Sequence, residues 1–160
     1  MRLTFLFFAV LLISNTRAAA QQQGVVERGD HVMGFSHDKT RHHFLLYANG
    51  GEINVASNDA SDKASIDQIR MHLSHIAGMF AAGNFKAPML IHDTTPPGVS
   101  TMQRLQNDIK YDYAETPHGA RIRLMASNPQ AVDAIHAFLL FQIIDHHTDD
   151  TPVITAEPPK

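Results

Sequence analysis

The sequence predicts an α+β fold: two strand-strand-helix units forming one antiparallel sheet, with two long helices packed on one face. Three observations carry this. Two stretches of alternating residues each fold back about a turn signal, Ala48-Asn49-Gly50-Gly51 in one and Pro117-His118-Gly119 in the other. Each hairpin is followed by a segment whose apolar residues recur at helical spacing. The order hairpin, helix, hairpin, helix leaves one apolar face of sheet for both helices to cover.

Residues 1–20 read as a secretion signal. Arg2 opens it, Leu3 to Ile13 is an apolar run short for a bilayer span, and Ala18 and Ala20 form a small-x-small cleavage pattern. The mature protein is therefore expected to be periplasmic or secreted. Losing Arg2 and Arg17 removes two positive charges and takes the formal net charge from -3 to -5. That balance argues against nucleic acid as a partner. No later run is apolar enough for a membrane span, and with no cysteine there is no disulfide, lipid anchor or thiol chemistry.

A single domain is expected over residues 21–147. Residues 21–29 are polar and read as loose, and 30–41 as a structured loop. Residues 42–47 suit a strand, and 52–56 suit its return, with Ile53 and Val55 inward. Asn58 or Ser61 can cap a helix running to about Ala82, where Gly83 stops it; Gly78 within it suggests close packing. Residues 85–92 read as a short strand or extended loop. Pro96-Pro97-Gly98 breaks structure before a short helix over 100–107. Strands follow over 109–114 and 120–126. Asn128 caps, and Pro129 opens, a helix to about His146. Residues 148–160, with three prolines and several acids, read as a disordered tail.

Val55-Ala56-Ser57-Asn58 resembles Met125-Ala126-Ser127-Asn128, and Asp67-Gln68-Ile69 aligns with Asp133-Ala134-Ile135. The chain thus reads as an internal duplication of about 42–82 and 109–147. In the first helix, Ile66, Ile69, Leu73, Ile76, Ala77 and Phe80 form the core stripe. His72, His75 and Met79 form a second, lateral stripe. The second helix has Phe138 and Phe141 where the first has His72 and His75, so that face needs a cover, from a loop or a partner chain.

Function is read from histidine. There are eleven, against no cysteine. Imidazole is the commonest protein ligand for transition metals, and thioether adds a preference for copper. His72, His75 and Met79 are the expected centre of a copper site, completed by His37, His42, His43 or His92 from the segments that could cover that face. Zinc or haem could take its place. His31 and His118 read as solvated and His136 as core-edge. His146-His147 read as a helix end where a cationic imidazole is favoured. Two other classes stay open: a small metal-dependent enzyme with Asp38 or Asp93 as base, and a metal-free homodimeric interaction module. The sequence lacks a His-Glu-x-x-His helix, a Gly-x-Ser-x-Gly elbow, a phosphate loop and a dinucleotide motif.

Met33-Gly34-Phe35-Ser36-His37-Asp38-Lys39-Thr40, with His42-His43-Phe44 and Thr95-Pro96-Pro97-Gly98, resembles a family of small secreted bacterial proteins of unassigned function. Members sometimes carry an aspartate carbamoyltransferase label. The chain lacks that enzyme's Ser-Thr-Arg-Thr phosphate-binding run, and the resemblance implies no activity.

Overall fold

The computed structural model describes residues 23–156, so the expected secretion signal lies outside the described residues. Two hairpins build one antiparallel sheet in the order β1-β2-β4-β3. Their strands are β1 Thr40–Tyr47, β2 Gly50–Ser57, β3 Ile109–Thr116 and β4 Gly119–Ala126. The helices are α1 (23–33), α2 Lys63–Ala81, α3 Lys86–His92, α4 Val99–Arg104 and α5 Pro129–Asp145. This is the expected α+β architecture, with α2 and α5 on one face. None of the described helices is long and apolar enough to cross a membrane.

Alternation decides which residues face the helices. Phe44 and Leu46 of β1, Ile53 and Val55 of β2, and Ala120, Ile122 and Leu124 of β4 are buried in the common core. The intervening residues make a polar outer face. There Glu52, only 4 % exposed, accepts from Arg123 Nε at 3.0 Å and lies 3.9 Å from Arg121. The helices are exchanged between hairpins. α2 packs mainly on β3 and β4, whereas α5 packs mainly on β1 and β2.

The central ladder fixes how the two units correspond. Ile53 lies directly opposite Ile122, and the two hairpins have equal strand lengths. A local two-fold axis therefore passes between Ile53 and Ile122 and matches Val55 with Leu124, both inward. This shifts the sequence reading, which set Val55 against Met125, by one residue; such a slip would move a residue to the opposite face. The helices match as read, with Ile69 to Ile135 and Leu73 to Leu139, all buried. Their caps match too: Asp62 accepts from the Ser65 amide and Asn128 from the Gln130 amide. Asp62, rather than Asn58 or Ser61, is thus the cap of α2.

Three other expectations change. Residues 23–33 are helical and bury Val25, because one apolar side chain per turn suffices for a short docked helix. Residues 86–92 form helix α3 rather than a strand, and it lies over α5. The segment after α5 is not loose. Asp150 accepts from the Phe44 amide at 2.9 Å, and Thr155 exchanges backbone hydrogen bonds with Leu46 and Ala48, so the tail lines the β1 edge.

Two glycines behave oppositely. Gly98 has φ 84°, and a Cβ there would strike the Ala134 carbonyl oxygen of α5. Gly98→Ala is expected to lose about 2 kcal/mol or more, from left-handed strain plus the clash. Gly78, read as a packing glycine, faces open space instead. Gly78→Ala is expected to gain about 0.5–1 kcal/mol from helix propensity. Urea unfolding midpoints check both, and a shift of the same sign in the two variants would contradict the assignment.

Candidate functional site

Four histidines meet at one end of the sheet, beside the C-terminus of α5. His42 is on the inward face of β1, on the same side as Phe44. His37 lies in the short 3-10 turn His37–Lys39 that precedes β1, capped by Ser36. His146 is the C-cap of α5, and His92 is the last residue of α3. Ring centroids are 5.1 Å apart for His37 and His42, 5.6 Å for His42 and His146, and 5.7 Å for His37 and His146. The three rings form a nearly equilateral triangle with interplanar angles of 22°, 15° and 20° respectively. His92 meets His146 edge-on at 5.1 Å.

Carboxylates orient two of these rings. His37 Nδ1 donates to Asp30 Oδ1 at 2.6 Å, and the same oxygen accepts from the His37 amide at 2.9 Å. A carboxylate only accepts, so Nδ1 carries the proton and Nε2 points elsewhere. Gly29 makes room, since a Cβ there would strike the His37 ring. His92 Nδ1 lies 2.5 Å from Asp145 Oδ2, and His92 Nε2 lies 2.8 Å from Gln142 Oε1. His92 is thus held on both sides, whereas the Nε2 atoms of His37 and His42 are buried without a hydrogen-bond partner.

Burial sets the charge of this cluster. Desolvation first, then repulsion from His37, His72 and His43, pushes His42 down to about 3. Desolvation, then His42, His92, His37 and His147, hold His146 well below its ordinary value. His146 is therefore a neutral imidazole and not the cationic helix end read from sequence. The favourable helix-end field is outweighed by loss of water and by its imidazole neighbours.

The structure brings only part of the expected set together. His37, His42 and His92 join the cluster. His72 stands apart on α2, with Phe35 edge-on at 5.6 Å, and burial followed by the nearby His75 pushes it down to about 4. His75 is exposed, and Met79 is half-buried against the core. His43 faces the other side of β1, where its Nδ1 is 2.8 Å from Asp150. The lateral stripe therefore does not converge as one site, because α2 is wide enough to send His72 inward and His75 to solvent. His146 was missed, as was Asp30. A histidine at a helix C-terminus signals dipole compensation locally, and only the tertiary fold brings it to His42. His31 and His118 are exposed, and His136 Nε2 is 2.9 Å from the Tyr47 carbonyl oxygen. The aromatic face of α5 is covered by its own chain. Phe85 contacts Phe138 at 6.1 Å, and His92 contacts Phe141 at 5.0 Å.

The cluster divides two spaces. Outside is a cleft of about 300 Å³ lined by His37, His42, His43, His146 and His147 among others. Inside, between the sheet, α2, α3 and α5, is an apolar cavity of about 70 Å³. His42 and His146 line both. Among the described residues, no group of three or more His, Cys, Asp or Glu side chains stands in metal-holding geometry. Comparison with protein-family models, with curated proteins and with solved structures finds no match to this chain.

Proposed function

We propose that the protein binds a transition metal, copper, through His37, His42 and His146, and serves to store, deliver or sense it in the periplasm or outside the cell. The triangle of three imidazoles carries the reading. Three imidazoles bound to one ion at about 2.0–2.1 Å would hold their ring centres roughly 5–5.5 Å apart. The spacings of 5.1, 5.6 and 5.7 Å fall in or beside that range. Binding would require the rings to turn so that their nitrogens converge, since the described side chains do not stand in metal-holding geometry without it.

Further support comes from the unpartnered Nε2 atoms of His37 and His42. A buried polar atom left unpaired is costly, and a metal–nitrogen bond relieves that cost. The Asp30–His37 pair has the form of a carboxylate–histidine–metal relay, which fixes the tautomer and raises ligand basicity. His42 is neutral at neutral pH, as a ligand must be. Copper tops the affinity order for nitrogen sites, and Met33 beside the cavity offers a thioether. The role of His72, His75 and Met79 in this reading is secondary: His72 shares the inner cavity wall, and the other two lie apart.

Elemental analysis of untagged secreted protein, followed by competitive titration with copper and zinc, tests the proposal. Near-stoichiometric copper and preference for copper over zinc are expected. A Soret band on haem addition without metal uptake would instead support a haem protein, and a dimer that takes up neither would support an interaction module.

A further inference from the structure

The inner cavity is a second space, which shares His42 and His146 with the cleft outside but is otherwise built from the core. It is lined by Ile76 and Phe80 from α2, Ile122 from β4 and Phe138 from α5, with Ala87 and Ile91 of α3 on another side. No Asp, Glu, Lys or Arg lines it. Its polar lining is the imidazoles of His42, His72, His92 and His146 and one amide, which is out of place in a core stripe. Gln142 sits in the core stripe of α5, only 4 % exposed, at the position matched by Ile76 in α2. Its Oε1 meets His92, and its Nε2 is buried with no partner. Turning the amide over would leave Oε1 in that place, so one hydrogen-bonding atom of Gln142 is unused in either orientation. An isoleucine, as in the other unit, would fill the position without this penalty.

We infer that the cavity binds a small neutral molecule with an apolar body and one hydroxyl, the hydroxyl bonding to the Gln142 amide. Neutrality follows because no Asp, Glu, Lys or Arg lines the cavity and burial holds His42, His72 and His146 below their ordinary pKa, so a buried ion would lack a counter-charge from them. A hydroxyl both donates and accepts, so it suits either amide orientation. Size follows from volume. Each water-sized group needs roughly 10–15 Å³ of such space, so about 70 Å³ takes a molecule of about five non-hydrogen atoms, a short-chain alcohol.

The test uses the full mature chain and two probes, 1-butanol and cyclopentane, read by methyl chemical shifts in NMR. Saturable 1-butanol binding is expected, with shifts confined to methyl groups such as those of Ile76 and Ile122. Gln142→Leu is expected to weaken 1-butanol by about tenfold, the worth of one buried hydrogen bond, and to leave cyclopentane binding in place. Ala87→Leu, which fills the cavity from α3, is expected to abolish both. No saturable binding by the natural sequence, unchanged 1-butanol affinity in Gln142→Leu, or continued binding by folded Ala87→Leu would overturn the inference. Copper titration of Gln142→Leu separates the two sites: unchanged copper affinity is expected, whatever becomes of the cavity.

Discussion

Replacing His42 and His146 together by phenylalanine is expected to abolish copper binding while the chain still folds. The two rings form one side of the imidazole triangle at 5.6 Å, so losing both leaves His37 alone. Phenylalanine fills the space and removes an unpartnered buried nitrogen at His42, so stability should hold or rise. Asp30→Asn should weaken copper by about 10–100-fold, because the ring it orients can then take the wrong tautomer. His75→Phe and His43→Phe should leave copper affinity unchanged, since one side chain is exposed and the other faces Asp150. Titration against a chelator of known affinity reads all four. Full affinity in the double variant, or a larger loss at His75 than at His42, would return the site to the lateral face of α2.

Acidification is expected to unfold the metal-free protein well before ordinary carboxylates titrate. His42 is pushed down to about 3, His72 to about 4, and His146 well below its ordinary value, chiefly by desolvation. In the unfolded chain each would titrate near 6.5. Above that pH both states are neutral, and the contribution to stability is complete. Below it the unfolded state takes up protons that the folded state refuses, so stability falls with pH until the folded value is reached. Each imidazole removes about 1.4 kcal/mol per pH unit. Between about pH 6.5 and 4, His42 and His72 together remove on the order of 5 kcal/mol, enough to unfold a marginal domain. His72→Phe should move the acid transition to lower pH. Equal urea midpoints at about pH 7 and 4.5 would refute the assignment. Bound copper should shift the transition further down, because protons must displace it.

The hairpins, both long helices and their core stripes were legible because each is written locally. Alternation marks Ile53 and Val55, 3.6-residue spacing marks Ile69 and Leu73, and Asn-Gly-Gly marks the turn between β1 and β2. The elements misread were those stabilised by docking. Residues 23–33, helix α3 and the tail beyond residue 148 carry weak patterns of their own and take their form from the sheet and from α5. The site was half legible for the same reason. His37, His42 and His92 stood out among the histidines, but His146 lies far along the chain with no spacing rule to join it to them. Two local clues did exist. Asp30 lies close before His37 in the chain, and Gln142 breaks an otherwise apolar stripe on α5. Neither pointed to histidine without the fold.

The exchange of helices between hairpins has a kinetic consequence. α2 finds its main support on β3 and β4, which are made later in the chain, and α5 returns to β1 and β2. Each helix finds its main support on the other half, so the two halves are expected to fold together. The contacts between each long helix and its main pair of strands join residues distant in sequence, which slows folding relative to a fold built on local contacts. Far-ultraviolet circular dichroism and tyrosine fluorescence should therefore report one coincident unfolding transition. The imidazole triangle draws His37 and His42 from the first half and His146 from the second, so it exists only once the halves have interlocked. An unfolded chain would carry scattered histidines, and its triangular centre would appear last, with the completed fold.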